Sequence, residues 1–141
     1  MAKKLVASEK RIFAGKRKTA VAKVRLFTGS GKVFFNYIPH TELGLFHKLA
    51  LSEPIRIYQQ ELGDDLKYDF FIKAKGGGKE AQVQAARLAI ARALVEITGS
   101  EVLKKAYINY DRNILVQDAR RKEPYKPGDS KARARRQKSF R

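Results

Sequence analysis

The excess positive charge of this chain sits at its two ends, and that partition limits what can fold. From Met1 to Lys32 there are ten Lys or Arg and one Glu. From Val33 to Asp118 there are eleven basic and eleven acidic residues, and from Ala119 to Arg141 ten basic and two acidic. The whole formal net charge of +17 therefore belongs to the ends. A neutral middle can collapse around a core, whereas a cationic end without apolar residues cannot bury enough surface to fold alone. The expected organisation is a flexible basic N-terminus over 1–10, one globular body over 11–118 and an extended basic tail over 119–141. An apolar content of 43% and a length of 141 residues suit one core of that size.

Within the middle, KRKTAVAKVRLF alternates from Lys16 to Phe27 and predicts a strand with one basic face, carrying Lys23 and Arg25. Gly29-Ser30-Gly31 then predicts a turn into KVFFNYI, a hairpin partner. A helix is expected over 41–51, capped by Thr41, with Leu43, Phe46, Leu49 and Ala50 inward and Pro54 as its stop. IRIYQQEL and LKYDFFIKAK read as two further strands joined by Gly63-Asp64-Asp65. The strongest helix is KEAQVQAARLAIARALVEIT, with Val83, Ala86, Ile90, Leu94 and Ile97 on one face and Gly99 as its C-terminal cap. A last short helix starts from Ser100, and periodicity fades after Asp111. Four strands with two or three helices predict an α+β two-layer sandwich, with a four-stranded sheet and helices on one face.

The chemistry is that of a binder. The chain has no Cys, which removes thiolate metal sites, cysteine nucleophiles and disulfides. The apolar run LVA is too short for a signal-peptide core, and no run approaches a bilayer's thickness, so an intracellular protein is expected. A cationic membrane-surface protein is the alternative, disfavoured because the arms lack the regular apolar stripe of an interfacial helix. His40 and His47 find no third ligand, and Asp64, Asp65 and Asp69 read as solvated turn residues. Gly76-Gly77-Gly78-Lys79 precedes a helix as phosphate loops do. Glu80 follows where a P-loop needs Ser or Thr, so the triplet reads first as a plain glycine loop between strand and helix, with a backbone approach to an RNA phosphate as the second reading and a phosphotransferase site disfavoured. The expectation is no enzyme, no cofactor, no metal and no small-molecule substrate. The tail carries Arg133, Arg135, Arg136, Lys138 and Arg141 between small or polar residues, with Tyr125 and Phe140 able to stack on bases. Pro124 and Pro127 disfavour helix, and residues 120–141 would reach at most about 70 Å when extended. An architectural DNA-binding protein is the rival reading, but no minor-groove wedge or dimer element is evident in the sequence.

Three stretches carry a resemblance: GKRKTAVAKVRL, GGGKEAQVQAARLAIARAL and DARRKEP with KARARRQKSFR. From Arg11 to Arg141 the chain resembles the universal small-subunit ribosomal protein family numbered nine. YDRNILVQD and QKSFR are similar to its archaeal and eukaryotic branch. The resemblance implies a left-handed crossover in the fold and a cytoplasmic place in the head of the small ribosomal subunit. It also implies binding to the 3′ major domain of the small-subunit rRNA, beside neighbouring ribosomal proteins. It assigns rRNA binding to Lys16, Arg17, Lys18, Gly76, Gly77, Gly78, Arg120, Arg121, Arg133, Arg135 and Arg136. Arg141 and Lys138 are implied to approach tRNA at the peptidyl site. Phe140 stands where the bacterial pattern has Lys.

Overall fold

A computed structural model describes residues 11–63, 66–128 and 131–133. Strands β1 (Ile12–Arg17), β2 (Ala20–Thr28), β3 (Val33–Phe35), β4 (Ile38–Pro39) and β5 (Tyr68–Lys75) form one sheet in the order β1-β2-β5-β3-β4. All neighbours are antiparallel except β3 and β5, which run parallel. Three helices accompany it: α1 (Leu45–Leu62), α2 (Lys79–Thr98) and α3 (Glu101–Tyr110).

Alternation gives the sheet two unlike faces. Phe13 of β1, Ala22, Val24 and Leu26 of β2, Val33 and Phe35 of β3, and Phe70 and Ile72 of β5 are buried together. Helix α2 lies on this face across β1, β2 and β5, α1 packs against α2, and α3 against α1. Being covered on more than one side, α2 buries nine residues, several of them alanines. Its small side chains bring the backbone close to the sheet. A Cβ added at Gly15 would stand 2.0 Å from the Ala85 carbonyl oxygen and 2.9 Å from the Ala89 nitrogen. No residue but glycine fits beneath the helix there.

The α2 face, the left-handed Gly99 cap and the Ser100 cap of α3, whose hydroxyl accepts from the Leu103 N–H, follow the sequence reading. The expectations around them need four corrections. The sheet has five strands, because Lys16–Phe27 spans the end of one strand and the start of the next: the chain reverses at Lys18-Thr19 between β1 and β2. KVFFNYI splits likewise into β3 and β4 around Asn36 and Tyr37, both at positive φ.

Second, β2 and β3 do not form a hairpin, because β5 lies between them. The Gly29–Lys32 loop instead crosses the end of β5, where Asp69 Oδ1 accepts from the Ser30 and Lys32 N–H groups at 2.9 and 2.8 Å. Asp69, expected to be a solvated turn residue, is the clamp of that crossing.

Third, residues 55–62 are helical, and Pro54 lies inside α1. Leu51, Pro54, Ile57 and Tyr58 are buried at helical spacing across the proline. An interior proline costs a helix on the order of 3 kcal/mol, and burial of this apolar row offsets it. The buried Tyr107 hydroxyl also donates to the Pro54 carbonyl at 2.6 Å, fastening α3 to the interrupted helix. Fourth, Thr41 caps nothing. It sits in a 3-10 turn over His40–Glu42, α1 begins at Leu45, and Phe46 and Leu49 face outward.

Candidate nucleic-acid interface

The β1–β2 turn and the glycine loop meet at one end of the sheet. β5 ends beside β2 at the pair Val21↔Lys75, so the chain leaving β5 passes directly over the hairpin turn. Gly76 and Gly77 both have positive φ, at 76° and 63°. A Cβ on Gly76 would come within 2.6 Å of the Thr19 carbonyl oxygen. Conformation and space therefore both require glycine at position 76. Gln82 closes the loop from the helix side, its Nε2 donating to the Gly76 carbonyl at 3.0 Å. Gly78 has open space around it and supplies no side-chain cap. The first amides of a 20-residue helix are left facing outward with the positive end of its dipole. Lys18 holds the opposite side of this corner at φ 52°, an uncommon conformation for a residue with a Cβ.

A second cluster sits where the basic tail leaves the body. Arg17 points to the helix side of the sheet, and its Nη1 forms a very close ion pair with Asp118 Oδ2. Arg120 binds the same carboxylate through its backbone N–H, its Nε and its Nη2. Arg120's side-chain hydrogen bond, then its backbone one, hold the Asp118 carboxyl well below the usual carboxylate range, with Arg17's charge adding to them. The same bond raises the already high Arg120 pKa. Arg121 donates to the Asp118 and Arg120 carbonyls. The segment just before is pinned by Arg92, whose Nε donates to the Leu115 carbonyl at 3.0 Å and whose Nη1 donates to the Ala14 carbonyl at 3.2 Å.

Of the residues singled out in the sequence, Lys16, Arg17, Lys18, Gly76, Gly77, Gly78, Arg120 and Arg121 thus lie around one end of the molecule. Arg133 has an exposed partner, its Nε pairing with Glu123 at 3.0 Å. Arg135, Arg136, Lys138 and Arg141 lie outside the described residues, as does Phe140. Residues 119–128 are exposed and carry neither helix nor strand. Tyr125, a stacking candidate, has the Lys122 ammonium 4.1 Å from its ring centre. The residue that sequence reasoning missed is Asp118. An acid directly preceding Ala-Arg-Arg was the available signal, because an aspartate readily accepts from the backbone two residues on. His47, set aside as a ligand, meets Glu80 Oε1 at 2.7 Å, joining α1 to the first turn of α2. Glu80 is thereby engaged beside the glycine loop.

Residues 15–141 match the profile of a family described as ribosomal protein S9/S16. The chain belongs to that family. It is 43% identical over 130 residues to the small ribosomal subunit protein uS9 of Methanococcus vannielii, covering 90% of this chain and 95% of that protein. It is also 43% identical to the protein of the same name from Methanococcus maripaludis strain C5, and 42% identical to that of strain C7, with the same coverage. Membership makes the chain a ribosomal protein, a component of a ribonucleoprotein that acts in translation, and these relatives are small-subunit proteins by name.

Proposed function

We propose that this protein is a structural constituent of the small ribosomal subunit in the cytoplasm, binding the 3′ major domain of its rRNA in the subunit head. The observation that carries this reading is the meeting of three basic or amide-rich segments at one end of the sheet: the Lys16–Lys18 turn, the Gly76–Gly78 loop and the root of the tail at Asp118 to Arg121. Amides and lysines at the first two hold RNA phosphate as a rigid, preformed surface. From the tail root, Arg133, Arg135 and Arg136 continue the contact along rRNA, paired charge by charge as they order. Lys138 and Arg141 reach the tRNA at the peptidyl site. Neighbouring ribosomal proteins of the head complete the set of partners. The role is positional, with no bond made or broken.

Salt dependence tests it. The log–log slope of RNA affinity against salt is about −0.7 to −0.9 for each phosphate neutralised. A chain ending at Asp118 lacks ten Lys or Arg and two acidic residues of the full protein. Its slope should be shallower by several units while its fold persists, and an unchanged slope would place the contact elsewhere. Deleting Arg141 alone should leave the protein in assembled subunits and weaken tRNA at the peptidyl site. Loss of the protein from subunits would give that residue to assembly.

A further inference from the structure

The face of the sheet away from the helices has no covering element among the described residues, and its composition is divided. Toward the glycine loop it carries Lys16, Lys23, Lys73 and Lys75. At the other end Phe71 of β5 lies between Phe34 of β3 and Phe27 of β2. Phe34 and Phe71 stack with ring centres 4.8 Å apart and planes 14° apart, and Phe27 meets Phe71 edge-on at 5.1 Å. Phe27 and Phe71 remain 40% and 41% exposed, too open for core residues. All of these side chains but Lys16 line a shallow hollow of about 1060 Å³. None of the four lysines forms an ion pair among the described residues. Asp69, the acid at the hollow's edge, is turned to the backbone amides of Ser30 and Lys32.

We propose that this open face is a second RNA contact, where unpaired bases stack on Phe71 and its aromatic neighbours while their phosphates follow Lys73, Lys23 and Lys75. The inference rests on the rRNA-binding reading above but concerns a different surface. Exposed aromatic rings recognise bases through their π-faces, and a cationic row beside them tracks the backbone. The charge decides between occupants. A purely apolar protein segment would leave the lysines desolvated and unpaired, whereas an RNA strand satisfies both halves of the face at once. The path is also continuous: Lys75 directly precedes Gly76, so a strand on this face runs into the phosphate-holding corner.

The test uses the full chain and a ten-nucleotide single-stranded RNA carrying 5-iodouridine, against its duplex counterpart. Binding and photocross-links are compared for the unaltered protein, Phe71→Leu, Phe34→Leu and Lys23→Gln/Lys73→Gln, with circular dichroism as a check on folding. The expected result is cross-links at Phe71, Phe34 or Tyr37, and preference for the single strand. Affinity should fall roughly five- to a hundred-fold in Phe71→Leu, the loss of about one base stack. Phe34→Leu reads the same contact should Phe71→Leu disturb the sheet. Unchanged affinity in both leucine variants, with cross-links confined to the hairpin corner or the tail, would overturn the proposal and leave the corner intact. Loss of another ribosomal protein from assembled subunits carrying Phe71→Leu, with RNA affinity unchanged, would make the face a protein interface instead. An unaltered chain that binds no RNA at all would remove the ribosomal RNA reading with it.

Discussion

Gly15 and Lys18 show how differently two residues of one hairpin are constrained. Gly15 is fixed by packing, since any Cβ would meet α2 backbone atoms that have no room to give. Gly15→Ala should therefore cost at least about 2 kcal/mol, in the range of overpacked cores, and lower Tm by at least about 5 °C in a thermal melt. Lys18 occupies a left-handed conformation that glycine would adopt more easily. Lys18→Gly should leave stability within about 1 kcal/mol of the original, because relieved strain and added chain entropy oppose each other. The same change should make the RNA salt slope shallower by about 0.7 to 0.9. A lost fold would mean that the lysine side chain serves the hairpin and not the ligand.

Asp118 is the residue with a signed pH dependence. Its folded pKa is depressed, so the pairing it contributes is fully present above the ordinary carboxyl value near roughly 4 and is lost as pH falls through the folded value. NMR resonances of the Arg17 and Arg120 side-chain N–H groups should hold their positions down to about pH 4 and move only in stronger acid. In Asp118→Asn they should already be displaced at neutral pH. Two guanidiniums freed from one carboxylate should also steepen the RNA salt slope by up to about two phosphates' worth.

At the scale of elements, the three helices are tied by few but well-placed polar contacts. Arg87 of α2 bridges Glu53 of α1 at 2.5 Å and Asp111 after α3 at 3.1 Å, and the Tyr110 hydroxyl donates to Glu53 at 2.6 Å. Burial raises the Tyr107 pKa far above that of a free phenol, with the nearby Tyr58 adding to it, so its hydroxyl stays a donor to Pro54. Tyr107→Phe should cost about 0.5–1.5 kcal/mol, and Arg87→Met about 1–3 kcal/mol because two carboxylates lose their partner, both read by denaturant midpoint at constant m-value. The long α2 was legible in the sequence because its apolar period, its glycine cap and its length agree. α1 was not, because Pro54 divides it into a helix-like half and IRIYQQEL, a half rich in β-branched and aromatic residues. Only the row Leu51, Pro54, Ile57, Tyr58, continuous across the proline, shows one helix. Strand pairing was illegible for another reason. Alternation says which residues face inward, but not that β5, about 40 residues away, would enter between β2 and β3. That order is carried by the β2–β5 and β3–β5 ladders, with Asp69 holding the Gly29–Lys32 loop across the strand end.

At the scale of the whole molecule, charge and fold divide the work. The neutral body builds a rigid frame, and that frame sets one basic turn, one glycine loop and the root of the tail at a common end. The basic turn and the glycine loop could be picked out from residue type and order, whereas their meeting with the tail root could not, since it depends on the β5 register and on a single aspartate. The most direct test is UV cross-linking in native lysate, sequencing the RNA joined to the body and to the tail separately. Placement in the subunit head predicts small-subunit rRNA of the 3′ major domain on the body peptides, including those bearing Lys18 and Gly76, and tRNA on the tail. Dispersed cross-links without enrichment in that domain, or recovery of DNA in place of RNA, would contradict it.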